Sequence, residues 1–158
     1  MTMTDRSVAH ATFTIERSYP ATPARVFAAF ADPEAKAIWA DSPSVTEAEG
    51  DTGTELDFRV GGHERFSNFM PPTGPTFRYD AVYYDLVPDQ RIIYCYEMYA
   101  DDARISVSVA TIDLVPEEGG TRLTYTEQGA FLDGHDVPEM RKEGTEEMLD
   151  GLVKYLSA

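Results

Sequence analysis

Near the start of the chain, Phe13, Ile15, Arg17 and Tyr19 alternate with Thr12, Thr14, Glu16 and Ser18. A period of two predicts a half-buried strand. The period then changes. Thr22 has the chemistry of an N-cap and Pro23 that of a first helical residue, where a missing N–H costs nothing. Val26, Phe27 and Phe30 place an apolar stripe on this short helix. Asp32-Pro33 stops it and starts another, because the residue before proline avoids the helical region and Asp can cap the second helix. Ile38 and Trp39 are the expected apolar anchor of that second helix.

After a short stretch at 44–49 and a turn at Gly50-Asp51-Thr52-Gly53, the chain enters a series of strand-like runs. In 55–60, Leu56, Phe58 and Val60 alternate with Glu55, Asp57 and Arg59, and Gly61-Gly62 breaks the run as a hairpin turn or a bulge. Strands are predicted at 63–70, 76–87, 90–99, 103–115 and 121–130. Pro71 to Pro75 form an exposed loop, and Pro88-Asp89, Asp101-Asp102 and Glu117 to Gly120 form the turns. Phe77, Tyr79, Ala81 and Tyr83 share one face. Short connections between successive strands favour an antiparallel meander. Pro138 opens a last helix, expected over 138–156, with glutamates weighted to its N-terminal half as the helix dipole prefers. Met140, Gly144, Met148 and Leu152 at spacings of four, with Leu149, Tyr155 and Leu156, form its apolar face. Met148 and Leu152 should be buried against the sheet, and Glu143, Glu147 and Lys154 should face solvent. The order strand, helix pair, meander, long helix predicts an α+β fold of the helix-grip kind. A curved antiparallel sheet would wrap the C-terminal helix, in one domain over 10–157 after a flexible 1–9.

Composition narrows the function. A chain of 158 residues can bury about two thirds of its unfolded surface in one core. The 28 acidic and 13 basic residues leave a net charge of -15, which repels phosphate backbones and anionic membranes. Neither nucleic-acid binding nor membrane insertion is expected. No apolar run approaches the roughly 20 residues that span a bilayer, and MTMTDRSVAH has no apolar core of a secretory signal, so a cytoplasmic location is expected. The single cysteine, Cys95, excludes an intrachain disulfide and is expected to be a small buried hydrophobe.

VFAAFADPEAKAIW resembles the signature of the SRPBCC superfamily, whose fold is that of START and Bet v 1-like proteins. LDFRVGG, then His63 to Phe66, then YYDLVPDQRIIYCY are similar to the activator-of-Hsp90-ATPase-homologue-1-like branch. Asp57, Arg59, Gly61, Gly62, Pro88, Arg91, Gly120, Thr121, Leu123 and Thr124 fit its pattern, and Glu143-Gly144-Thr145 with Leu149 and Leu152 resembles its last helix. The resemblance implies a ligand cavity between sheet and helix. It also implies likeness to the C-terminal module of the Hsp90 activators, without the N-terminal domain that binds the chaperone. Glu64 and Thr145 depart from the pattern, putting polar groups where relatives carry bulky aromatics near that cavity; Asp85 and Ala81 are further departures.

Several residues are candidates for chemistry. Arg17 is expected to point inward and to need a carboxylate, with Asp85 and Glu64 as candidates, most simply as a structural ion pair. Tyr79, Tyr83, Tyr94, Tyr96, Met98 and Tyr125 form an aromatic set, and buried tyrosines need hydroxyl partners. Glu64, Glu127, Gln128 and His135 could form an acid–base or metal set, but His10, His63 and His135 are scattered and lack ligand spacing. A phosphate loop, a nucleophile elbow and a dinucleotide fingerprint are all missing from the sequence. The sequence therefore favours a binding protein for a small apolar or amphipathic molecule, monomeric or homodimeric. The expected ligand residues are Arg17, Glu64, Phe66, Tyr83, Tyr94, Tyr96, Tyr125, Glu127, Thr145 and Met148, with no catalytic residue, metal or cofactor assigned. A cyclase- or hydrolase-type enzyme using the same cavity and a chaperone cofactor acting through its surface are the alternatives.

Overall fold

The computed structural model describes residues 6–40, 55–69 and 75–157. Seven strands form one antiparallel sheet in the order β1-β7-β6-β5-β4-β3-β2. They are β1 (Val8–Tyr19), β2 (Glu55–Leu56), β3 (His63–Phe69), β4 (Thr76–Val87), β5 (Arg91–Ala100), β6 (Ala103–Glu117) and β7 (Gly120–Leu132). Helices α1 (Pro23–Ala31) and α2 (Pro33–Trp39) come after β1, and α3 (Pro138–Ser157) closes the chain. The sequence runs at 44–49 and 50–53 and the loop at 71–74 lie outside the described residues.

The helical corner is built as its residues predict. Thr22 Oγ1 accepts from Arg25 N–H and caps α1; Asp32 Oδ1 accepts from Glu34 N–H and caps α2. Proline occupies the first turn of both helices. The anchor of α2 differs from expectation. Trp39 is buried and donates its indole N–H to Ala29 O, whereas Ile38 is 67% exposed. Adjacent helical residues point about 100° apart, so one two-turn helix cannot bury both. Ala35, four residues before Trp39, takes the inner position instead.

The meander forms as expected, with β1 reaching back to Val8 opposite Leu132 and Ser7 N–H bonded to the Asp133 side chain. The run at 55–60 is a correction, because only Glu55–Leu56 pair as a strand. Asp57 to Gly62 turn instead, Gly61 sits at φ +84°, and a Cβ at Gly62 would lie 2.0 Å from Asp57 O. Val60 is accordingly exposed. A bulge between Tyr83 and Asp85 breaks the alternation of β4. Tyr84 is exposed there, and Asp85 pairs with Arg91 at 2.5 Å on the surface instead of facing the interior. Cys95 is also displaced from expectation. Tyr94 and Tyr96 take the inner face of β5, so Cys95 is half-buried on the outer one, where burial raises its thiol pKa.

The inner face of the sheet packs on α3, whose buried residues are Thr145, Leu149, Leu152 and Leu156. The expected stripe through Met140, Gly144 and Met148 is rotated off the contact: Met140 is 65% exposed and Met148 half-buried. Steps of four advance 400°, drifting about 40° each time, whereas the mixed steps 145, 149, 152, 156 stay on one face. Glu143, Glu147 and Lys154 face solvent as predicted. Tyr19 Oη donates to Leu149 O and Arg25 donates to Leu156 O, which fasten the C-terminal half of α3 to β1 and α1. No helix among the described residues is long and apolar enough to cross a membrane.

Candidate functional site: a tyrosine layer between two buried carboxylates

Strands β3, β4, β5 and β7 carry the inner-face aromatics, since their inward positions are every second residue. Phe66 stacks on Tyr79 at 4.7 Å between centroids, Tyr79 meets Tyr96 at 4.9 Å, and Tyr94 meets Tyr83 at 5.9 Å and Tyr96 at 6.0 Å. Phe13 stacks on Tyr125 at 6.2 Å. Of the expected set, Tyr79, Tyr83, Tyr94 and Tyr96 are thus brought together in one run of rings, whereas Tyr125 stacks on Phe13 and joins Tyr96 through the carboxylate they share.

A buried carboxylate stands at each end of this layer. Glu127 on β7 is 0% exposed and accepts hydrogen bonds from Tyr125 Oη at 2.6 Å and Tyr96 Oη at 2.7 Å. The Arg141 guanidinium of α3 lies 3.5 Å away. Arg141 also donates to Tyr96 Oη at 2.9 Å, Ser106 Oγ at 2.8 Å and Asp136 Oδ2 at 2.6 Å, and lies over the rings of Tyr96 and Phe131. Glu64 on β3 is 5% exposed and pairs with Lys36 of α2 at 2.7 Å, while Tyr83 Oη donates to it at 3.2 Å. The two carboxylates therefore have separate partners. Exposed Gln128 and His135 join neither, and no cluster of three metal-ligating side chains occurs among the described residues.

Burial, and next the neighbouring phenols and carboxylates, push the Tyr79, Tyr83, Tyr94, Tyr96 and Tyr125 phenols well above their ordinary pKa of 10.0. They remain protonated donors at neutral pH. For Arg141, burial pulls the pKa down, but Tyr96, Glu127 and Asp136 together outweigh it and the value is raised. The guanidinium stays charged.

Arg17 points along the inner side of β1, yet its partners are Asp150 at 2.8 Å and Glu146 at 3.6 Å on α3, not Glu64 or Asp85. It is a structural ion pair at the rim. Thr145 is buried and donates to Arg141 O one turn back. The sequence reading missed Arg141, Lys36, Asp136 and Ser106. Arg141 was accessible to it, since 141, 145 and 149 share one helix face at spacings of four. Lys36 required the tertiary packing of α2 over β3.

A long helix gripped by a curved antiparallel sheet, with a helix pair after the first strand, is the Bet v 1-like, helix-grip class of fold. Residues 20–157 match the family described as "Activator of Hsp90 ATPase homolog 1-like protein", and the chain belongs to it. Among solved structures it is similar to the Mll3558 protein from Rhizobium loti at 47% identity and TM-score 0.84, covering 95% of this chain and 99% of that one. A putative uncharacterized protein from Rhizobium leguminosarum is similar at 44% identity and TM-score 0.85, covering 98% and 99%. Protein CV1439 from Chromobacterium violaceum is similar at 28% identity and TM-score 0.75, covering 93% and 97%. No curated protein matches the chain.

Proposed function

We propose that the protein binds a small apolar or amphipathic molecule between the inner face of the sheet and the N-terminal half of α3. The observation that carries this reading is the placing of Glu127 and Glu64, each with its own cation and tyrosine hydroxyl, in a core whose buried side chains are mainly apolar and aromatic. Buried ion pairs seldom stabilise a fold better than hydrophobic residues of the same volume. Fixed polar points within an aromatic lining are, in contrast, how small-molecule sites orient a ligand. Phe66, Tyr83, Tyr94, Tyr96, Tyr125 and Met148 would supply the apolar contacts. Glu127, Glu64 and Thr145 would supply the polar ones.

Binding is favoured over conversion by the state of the phenols. Those of Tyr83, Tyr96 and Tyr125 stay protonated and donate to Glu64 and Glu127, so they serve as orienting groups and not as bases. A cytoplasmic setting accords with the lone thiol of Cys95. Native mass spectrometry of the purified protein should show a copurifying small molecule. Titration with a fluorescent apolar probe should saturate in the wild type and weaken about tenfold or more in Tyr96→Ala, roughly 1.4 kcal/mol. A wild type that shows no saturable uptake, or equal affinities in the two proteins, rejects the site.

A further inference from the structure

One long edge of the sheet is open, a feature independent of the ligand reading. Strand β1 ends the sheet order, and among the described residues its backbone pairs with β7 alone. Successive residues of a strand turn their backbone N–H and C=O to alternate sides. Ser7 turns both of its groups to Asp133, on the β7 side. Glu16, at a position of opposite parity, turns its C=O outward, where the Arg17 guanidinium caps it at 2.8 Å. The register along β1 is unbroken, so Val8, His10, Thr12 and Thr14 present their backbone groups to the open side as Glu16 does. Edges of this kind are normally blunted by lysine, proline or a bulge. Val8 to Ile15 contain no Asp, Glu, Lys, Arg or Pro, and their pairing with β7 shows no shift of register.

A row of carboxylates on α3 runs beside this edge. At 100° per residue, Glu139, Glu143, Glu146 and Asp150 fall within an arc of about 60° on one flank of the buried face. The opposite flank carries Gly151, close against Trp39 O of α2. The row therefore lies on the β1 side, and Arg17 shows its reach: from the inner side of β1 it meets Asp150 at 2.8 Å and Glu146 at 3.6 Å. Glu139 and Glu143 continue the row as exposed residues. We infer that the open edge of β1 takes an extended, basic segment of a partner protein as an eighth strand. Main-chain bonds to β1 give the affinity, and the alternation of side chains gives the specificity. Every second side chain of the added strand points to the α3 side of the sheet. Lysine or arginine at those positions meets Glu139 and Glu143 as Arg17 meets Asp150. Seven residues of partner suffice, because Val8 to Thr14 span about 20 Å. The net charge of -15 draws a cationic segment in and repels an acidic one. A second copy is the poorer occupant. Pairing β1 with its two-fold copy puts both α3 helices on one face of the joined sheet, with their carboxylate rows opposed.

The probe is a dye-labelled peptide of about nine residues alternating lysine and valine, read by fluorescence anisotropy on the full chain. Wild type should bind it saturably, and the affinity should fall at least about tenfold between about 20 mM and about 0.5 M salt. A peptide of the same composition with its lysines in one block should bind at least about fivefold more weakly, because its charges no longer share one side of a strand. The double variant Glu139→Gln with Glu143→Gln should lose about fivefold or more. Glu117→Gln with Glu118→Gln removes the same charge at the exposed turn between β6 and β7 and should lose less than about twofold. Thr12→Pro deletes one outward N–H, leaves the bonds to β7 in place and should weaken binding about tenfold. Methylating alternate backbone amides of the peptide makes the same cut from the partner's side, and only one of the two alternate sets should abolish binding. Circular dichroism should show every variant folded. A wild type that ignores the alternating peptide, or pairs with itself instead, overturns the inference. So does a block peptide that binds as tightly, or a Glu117 and Glu118 variant that loses as much as the Glu139 and Glu143 one, since binding would then follow net charge alone. Equal binding by the two methylated sets overturns it as well, because no strand is then added.

Discussion

At the scale of single residues, the molecule turns on how the charge of Glu127 is held away from water. Two phenols and one guanidinium surround it, and Arg141, with 9% of its side chain exposed, serves Asp136 and Ser106 at the same time. Removing one partner of a buried pair leaves the other uncompensated, at about 3–5 kcal/mol. Arg141→Met should therefore cost about 3 kcal/mol in urea unfolding, the lower end because Tyr96 and Tyr125 still donate to the carboxylate. The double variant Arg141→Met with Glu127→Leu should recover most of that loss, and a double variant no better than the single would show that the pair is not coupled. The tyrosines give a pH prediction. Their folded pKa values lie above the unfolded value near 10.0, so their contribution is complete below about pH 10 and is lost as pH rises beyond it. Tyrosinate absorbance of these buried rings should appear together with loss of the circular dichroism of the fold. Ionisation that precedes unfolding would place the rings in water.

At the scale of elements, α3 decides whether the grip forms. Leu152 is fully buried and Leu152→Ala should cost about 2–5 kcal/mol, whereas Met140→Ala, at an exposed site, should stay within about 0.5 kcal/mol. Denaturant midpoints of the two variants test the rotated face directly, and equal losses would restore the face through Met140. Gly151 adds a close approach, since a Cβ there would stand 2.6 Å from Trp39 O. Gly151→Ala should push α3 from the end of α2 and cost about 1–3 kcal/mol. These elements also show what a sequence records. Strand runs, caps and turns are local, so the capping by Thr22 and Asp32, the turns at Asp101 and Gly119 and the start of α3 at Pro138 were legible. The bulge after Tyr83 and the choice of Trp39 over Ile38 were not, because each is settled by what lies across the core. The tyrosine layer was legible from alternation alone. Its carboxylate ends were named as Glu64 and Glu127, but their cations came from helices distant in sequence and stayed hidden.

At the scale of the whole molecule, charge acts in two opposed ways. Surface pairs such as Arg17 with Asp150, Arg104 with Glu97 and Arg65 with Asp80 are attractive and weaken as salt screens them. Exposed pairs of this kind are each worth about 0–1 kcal/mol. Against them stands the excess of 28 acidic over 13 basic residues, so that even complete pairing would leave many carboxylates facing only their own kind. Like-charge repulsion of that size destabilises the compact state and is relieved by screening. The repulsion is the larger effect, and it sets the sign. At pH 7, raising sodium chloride from a few millimolar to about 0.5 M, where the screening length falls below about 5 Å, should raise the unfolding temperature by several degrees. Differential scanning calorimetry on dilute protein checks this apart from any association, since a dimer would add a dependence on protein concentration. A melting temperature that falls with salt would mean that the ion pairs of the rim, and not the bare acidic excess, govern the stability of this fold.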